Sequence, residues 1–406
     1  LVLVFFIVCS LVGSAAVVET SNLVAFDKVQ KNTLSFLHSL LAVVVLVLLL
    51  LVTLAIGIWN ASSILLALGQ NEVTFLFSEQ YLKVVVWSLL PAFGFVLMRS
   101  LVIGMGKPGA ILPISLIATI LNYPLSYILM KGEFGLPAMG IQGVALGTCI
   151  IACAMFFGLV YLSYSQQEFS NYKFWKGWGN FSGKRMNETW RLGFPIALAH
   201  AMEVGMFSAA VLIGGLLGVN ALAAHQIALH STTLSFMIPL GISQAVSVKV
   251  GECFGQNNIH LSTSALKSGL FLASVSALFA GAFFLFAPEV LVDFFLPTDT
   301  MDSANYQELL VIATGILFVA ALFQFVDAWQ VILMGALRGF KLGQSPTMVA
   351  IFRYWGVGIP CSYFASKVWG APGVWMGMGL GLGLCAILLG LLFKYQLKKQ
   401  SLLMMS

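Results

Sequence analysis

Leu40-Leu-Ala-Val-Val-Val-Leu-Val-Leu-Leu-Leu-Leu-Val-Thr-Leu-Ala-Ile-Gly-Ile-Trp59 runs for twenty residues without a charge. A helix needs about 20 apolar residues to cross the ~30 Å of bilayer hydrocarbon. A membrane barrel strand is about half as long and strictly alternating. This stretch therefore reads as a membrane-spanning helix. The rest of the chain agrees. It has 406 residues, 60% of them hydrophobic and 9% charged, with mean hydropathy +0.97. A soluble domain carries about 25% charged residues, so lipid must solvate most of this one. The net charge of +5 carries no nucleic-acid signal. Reading outward with the same window predicts an all-α polytopic membrane protein. Its eleven spans lie near 1–18, 34–58, 80–103, 109–130, 139–163, 192–217, 221–248, 265–288, 306–335, 345–366 and 370–393.

Alternating the loops from an inward first loop gives a lopsided charge split. Lys28, Lys31, Arg99, Lys107, Lys173, Lys176, Lys184, Arg185, Arg191, Lys249, Lys267, Arg338, Lys341, Lys394, Lys398 and Lys399 fall inside, sixteen of the 20 basic residues. Glu289, Asp293, Asp299 and Asp302 gather outside. Basic loops stay cytoplasmic, which places the loop 164–191 and the C-terminus in the cytoplasm and 289–305 outside. The compact loops suit the plasma (inner) membrane of a bacterium. Single cysteines in a cysteine-free background, labelled on intact cells with an impermeant reagent, should react near position 293 and stay silent at 176. Strong labelling at 176 would overturn this orientation.

The chain repeats itself. Pro124-Leu-Ser-Tyr127, Gly135-Leu-Pro137 and Gly140 match Pro360-Cys-Ser-Tyr363, Gly370-Ala-Pro372 and Gly373. Upstream, the turn Gly104-Met-Gly-Lys-Pro-Gly109 matches Arg338-Gly-Phe-Lys-Leu-Gly343. Repeated halves are characteristic of transporters whose site lies between two lobes. We expect an N-terminal lobe over 1–163, a cytoplasmic linker loop over 164–191 and a C-terminal lobe over 192–406. The second half has two spans before its polar loop Gly251-Glu-Cys-Phe-Gly255, the first half only one. The prolines are offset by 360 − 124 = 236 residues, which projects Trp190 to −46. The expectation is two six-helix lobes, a 6+6 repeat, with the first helix missing from this chain.

Two acids sit deep in apolar spans, Glu203 and Asp327. An ionised Asp at mid-membrane costs roughly 2.5–3.5 kcal/mol even on the lenient insertion scale, so both should face a bundle interior or an aqueous cavity. Each could carry a proton or ligate a hard cation through oxygen; the plain alternative is a structural carboxyl held by a Ser, His or Gln such as Gln324 or Gln330. His200, one turn before Glu203, could pair with it or simply pack. Arg353 reads as snorkelling to the interface, with a counter-ion to either acid as the other possibility. His225 and His230 are at poor spacing for joint ligation and read as structural. Phe207, Phe323, Phe325 and Trp329 flank the acids and could stack on a ligand or be lipid-facing. Gly377 and Gly381 form a small-xxx-small pair for close helix packing. Cys9, Cys149, Cys153, Cys253, Cys361 and Cys385 read as packing residues.

An ordered set of residues resembles the multidrug and toxic-compound extrusion (MATE) transporters, in the NorM-like branch. It includes Gly193-Phe-Pro195, Glu203-Val-Gly-Met-Phe207, Leu222-Ala-Ala-His-Gln-Ile227, Phe236-Met-Ile-Pro-Leu-Gly241, Asp327, Ala336-Leu-Arg-Gly339, Tyr354-Trp355 and Pro360. Tyr81-Leu82, Arg99, Asn122 and Pro124 extend it into the first half. The resemblance implies twelve helices in two lobes, and antiport of amphipathic or cationic drugs by alternating access. Small-molecule drugs and organic cations would be the partners in the bilayer, with no cofactor beyond a coupling Na⁺ or H⁺ and with a monomer plausible. It also implies a second-lobe cation site with acids matching Glu203 and Asp327. By this resemblance the family's first helix, with its functional Asp, is expected to be missing from this sequence, and the family's Gly-rich loop after the second helix reads Glu19-Thr-Ser-Asn-Leu-Val-Ala25. A lipid-linked oligosaccharide flippase of related architecture is the alternative; it would need basic residues along its cavity, for which Arg353 is the one candidate. An intramembrane enzyme would need a reactive constellation, and the sequence offers none.

Overall fold

The computed structural model describes residues 72–106, 108–164, 183–256, 258–296 and 303–405, with scattered positions between 44 and 59. The expected first span, the first-lobe loop near Glu19, most of the second span and most of the linker loop lie outside the described residues. Among those described, the regular structure is all helical. The first unit contains α1 (Glu72–Val85), α2 (Leu89–Gly104), α3 (Ile111–Lys131) and α4 (Ile141–Tyr164). Helix α5 (Gly183–Leu216) leads into α6 (Val219–Gly255), α7 (Ile259–Phe286), the short α8 (Pro288–Phe295), α9 (Ser303–Gly339), α10 (Gln344–Arg353) and α11 (Ile359–Met405). Internal contacts divide the chain into Leu1–Ala197 and Leu198–Ser406.

Eight described helices are long and apolar enough to cross a membrane. They carry all nine of the spans read between 80 and 393, because the last helical run, Gln344–Leu402, holds two. The two are divided at Gly370, whose φ of 60° and ψ of −141° leave the helical region. Only a residue without Cβ takes that conformation freely.

Two loop expectations are corrected. Residues 183–191, read as the end of the linker loop, form the first turns of α5. Gly251–Gly255, read as a polar loop, is the last turn of α6. A hydropathy window sees only the part of a helix that sits in hydrocarbon, whereas backbone hydrogen bonding continues into the headgroup region. Lys249 and Glu252, 3.0 Å apart, tie that last turn together. The chain then reverses, and Asn258 caps α7 by accepting from the Leu261 N–H at 3.1 Å, which satisfies one of the free donors at a helix start.

The repeat is built into the packing of each unit, with one change of register. In the first unit, Gly143 on α4 meets the Leu129 backbone of α3, and Gly147 meets Ser126. In the second unit, Gly373 on α11 meets the Ala365 backbone before the break, and Gly377 meets Ser362. Leu129 and Ala365, like Ser126 and Ser362, are separated by the same 236 residues as the prolines. Gly143 thus corresponds to Gly373, not Gly140, and Gly140 (φ 55°) corresponds to the hinge Gly370 (φ 60°). The first unit has a longer turn here, with Gly132 left-handed and a 3₁₀ turn over Glu133–Gly135. Extending the second stripe, Gly381 rests on Gly358. In lipid there is little hydrophobic drive between helices, so contacts of this kind supply the packing energy.

Helix α9 is the axis of the second unit. Leu309, Ala313, Ile316, Leu317, Ala320, Ile332, Ala336 and Leu337 are fully buried along it. Its lower half is pressed onto α6: Gly335 contacts Ser243, Gly339 contacts Ser247 and Val250, and the Ser243 hydroxyl donates to the Val331 carbonyl at 2.6 Å. The outer faces carry large exposed apolar side chains such as Phe271, Phe279, Phe286, Phe318 and Leu322, the surface a bilayer solvates.

Candidate functional site

Glu203 and Asp327 come together inside the second unit. Asp327 faces inward from α9 and is 5% exposed. Its Oδ1 is buried without a hydrogen-bond partner, and Glu203 on α5 lies within electrostatic reach of it. An unpartnered carboxylate oxygen held in an apolar interior is costly, so the position asks for a proton or a cation.

Residues on four helical segments surround the pair. Gln324 and Gln330, one turn either side of Asp327 on α9, are both buried. The Gln330 amide donates to the Tyr354 hydroxyl at 2.7 Å, and Tyr354 is itself within electrostatic reach of Glu203 and Asp327. Gln324 Nε2 is buried and unpartnered. Cys385, on α11, packs against Gln330 and near Glu203. Tyr354 opens a π-helical turn, Tyr354–Gly358, between α10 and α11. Such turns shift the side-chain register by one residue and recur at functional positions. From the same turn, the Trp355 indole donates to the Met202 carbonyl at 3.1 Å, and its ring covers Gly205. Glu203 is therefore held between two residues that Trp355 grips.

His200 lies beneath Glu203. Its Nδ1 is 3.5 Å from Glu203 Oε2, and its Nε2 is 3.4 Å from Arg338 Nη2. A guanidinium can only donate, so Nε2 accepts and the ring proton sits on Nδ1, facing the carboxylate. Arg338, expected at the inner end of α9, thus reaches the site through His200.

The other expected residues distribute differently. Arg353 is half-buried and, among the described residues, forms no ion pair with Glu203 or Asp327; its Nε is buried without a partner and its guanidinium lies 5.4 Å from the Phe352 ring. It lies close enough to Cys385 to act on it electrostatically. Phe323, one helical turn before Asp327, is buried between Phe207 (6.4 Å) and Trp375 (5.3 Å) in edge-on contacts. Trp329 points to the opposite side of α9, where its indole donates to Ser274 at 2.8 Å. His225 accepts from the Trp375 indole at 3.1 Å, and His230 stacks on Phe295, so both pack as expected. Among the described residues no group of three His, Cys, Asp or Glu side chains gathers to hold a metal ion. A hard cation here would draw on two carboxylates plus phenol and amide oxygens.

An all-helical, multi-pass membrane protein with paired acids inside one unit is of the transporter class. The MatE family profile matches residues 2–128 and 195–364, and the chain belongs to that family. It is 34% identical over 345 residues to a "Probable multidrug resistance protein NorM" of Pseudomonas syringae pv. tomato, covering 84% of this chain and 74% of the relative. A protein of the same description from Pseudomonas aeruginosa is 34% identical, covering 84% and 69%. The fold also matches solved structures: a MATE in the bent conformation (TM-score 0.84, 17% identity, covering 99% of this chain and 87% of that one) and a eukaryotic MATE transporter (TM-score 0.79, 20% identity, 97% and 86%). A transporter from Pyrococcus furiosus, described as having a binding pocket of reversed polarity, superposes as well (TM-score 0.83, 18% identity, 98% and 86%). Fold alone therefore does not select the cargo.

Proposed function

We propose that this protein is a secondary active multidrug exporter, expelling amphipathic and often cationic compounds in exchange for inward-moving Na⁺ or H⁺. The buried, unpartnered Asp327 Oδ1 beside Glu203 carries the reading. The NorM relatives, described as multidrug resistance proteins, supply the cargo class. Glu203 and Asp327 bind the cation in the outward-open state, with Gln330 and Tyr354 supplying further oxygen. The bound cation lowers the affinity for drug, and the antagonism is reciprocal because both ligands act on one equilibrium. His200, backed by Arg338, keeps Glu203 in position for the cation. Rocking of the two halves then exposes the cargo to each side in turn.

Efflux of a fluorescent organic cation from proteoliposomes, with Na⁺ and H⁺ gradients imposed separately, tests this. One inward cation gradient should drive accumulation against a drug gradient, and collapsing it should stop transport. Transport that needs neither gradient would overturn the antiport.

His200→Ala should be milder than loss of either acid. It removes a long contact of the kind worth about 0.5–1.5 kcal/mol, so it should weaken apparent cation affinity by no more than about tenfold. The half-saturating cation concentration measures this. His200→Gln, which keeps a donor, should recover part of the loss.

A further inference from the structure

On the far side of α9 from the acids, a cleft of about 680 Å³ runs between α7, α9 and α11. Leu266, Leu333, Ala386 and Phe393 form a buried floor, and Ile387 and Leu391 are exposed at the lip. Gly383 and Gly390 leave the α11 wall open, where larger residues would fill it. Two lysines complete the lining, Lys267 on α7 and Lys394 on α11; it contains no carboxylate. Among the described residues neither lysine pairs with an acid. The lining extends from Gly383 to Leu397 along α11, about 21 Å at 1.5 Å per residue. One leaflet's hydrocarbon is roughly 15 Å thick, half of the ~30 Å bilayer core. The cleft is therefore long enough for an acyl chain, with a cationic end. Both lysines fall on the side that the charge split assigns to the cytoplasm, so that end lies at the inner-leaflet headgroups.

We propose that this cleft holds a phospholipid with an anionic headgroup, its acyl chain along the apolar floor and its phosphate between Lys267 and Lys394. Charge selects the occupant. Cationic amphiphiles, the cargo class proposed above, are repelled by two unneutralised lysines. A zwitterionic lipid carries no net charge for them to attract. Basic side chains near a bilayer surface recognise acidic lipids in this way.

The test uses the full chain in neutral detergent with phosphatidylglycerol carrying a photoactivatable acyl chain, and the matched phosphatidylcholine as control. Phosphatidylglycerol should crosslink to the α11 segment 383–397, with little reaction from phosphatidylcholine. Lys267→Gln with Lys394→Gln should lower the apparent affinity by roughly thirtyfold, the effect of two basic charges near an anionic surface. The Lys→Arg pair should keep it, which separates charge from folding. Equal crosslinking by phosphatidylcholine, unchanged affinity in the Gln pair, or crosslinks mapping elsewhere would each overturn the assignment. So would competition by a transported cation, which would make the cleft a cargo site, or loss of crosslinking on dilution to monomers, which would make it a contact between copies.

Discussion

Asp327→Asn and Glu203→Gln should each reduce drug export to the level of cells lacking the transporter, while leaving the protein folded in the membrane. Asp327 Oδ1 makes no hydrogen bond, so the amide forfeits none there, and a neutral side chain is easier to bury than a charge. What it loses is a charged cation ligand. Hydrogen bonds to charged groups contribute about 1.5–3 kcal/mol, so cation affinity should fall roughly tenfold to a hundredfold. Melting separates this from a structural role. A cation that binds only the folded protein stabilises it by RT ln(1 + [L]/Kd), about 2.7 kcal/mol at a hundred times Kd. Wild type should melt later as Na⁺ is raised or, with H⁺ as the coupling ion, as pH falls. Each amide variant should respond less. A purely structural carboxyl predicts near-normal efflux from both variants with unchanged ion dependence, and that result would sink the mechanism.

The second large effect concerns packing. Gly377→Ala should strongly destabilise the protein, whereas Gly379→Ala, two residues away on the same helix, should not. A Cβ at Gly377 would overlap the backbone of Ser362 and Cys361, which has no side-chain freedom to yield; one at Gly379 meets the Phe323 ring at an ordinary 3.6 Å. Overpacking costs about 1–3 kcal/mol and occasionally more, and backbone against backbone belongs at the upper end. At Gly379 the added methyl removes a glycine's helix penalty of about 0.5–1 kcal/mol. Detergent melting of the two variants should therefore shift in opposite directions. Equal shifts would show that the two halves of the α11 run are not packed through this stripe. Gly147→Ala, at the matching position in the first unit, should cost less, because its Cβ would meet the Ser126 hydroxyl, which can rotate away, and the Ser126 backbone only at 3.1 Å.

The membrane class, the nine described spans and the acids at 203 and 327 were legible in the sequence because each is a local property. Twenty apolar residues must cross or aggregate, and a charge inside them is costly wherever its neighbours lie. The repeat was legible from its prolines, but its glycine register was not. Matching by residue type paired Gly140 with Gly373; the contacts pair Gly143 with Gly373, because the turns between the helices differ in length. Helix ends were misplaced at 183–191 and 251–255, since hydropathy reports depth in hydrocarbon and helical hydrogen bonding does not stop at that boundary.

The surroundings of the acids were decided only by the tertiary structure. Nothing local distinguishes Arg338 at the end of a helix from any other interfacial arginine until His200 is placed against it. From sequence, Tyr354 and Trp355 are legible only as part of the resemblance, with no role of their own; a π-helical turn directs one at Gln330 and the other onto the helix of Glu203. Trp329 and Asp327 are two residues apart, yet a helix places them on opposite faces, one toward the lysine-ended cleft and the other toward the acid pair. Sequence alone determined that this chain must bury two carboxylates in a bilayer. Which donors surround them depends on how helices distant along the chain pack side by side, and that is set by close contacts at small residues whose partners cannot be read from hydropathy.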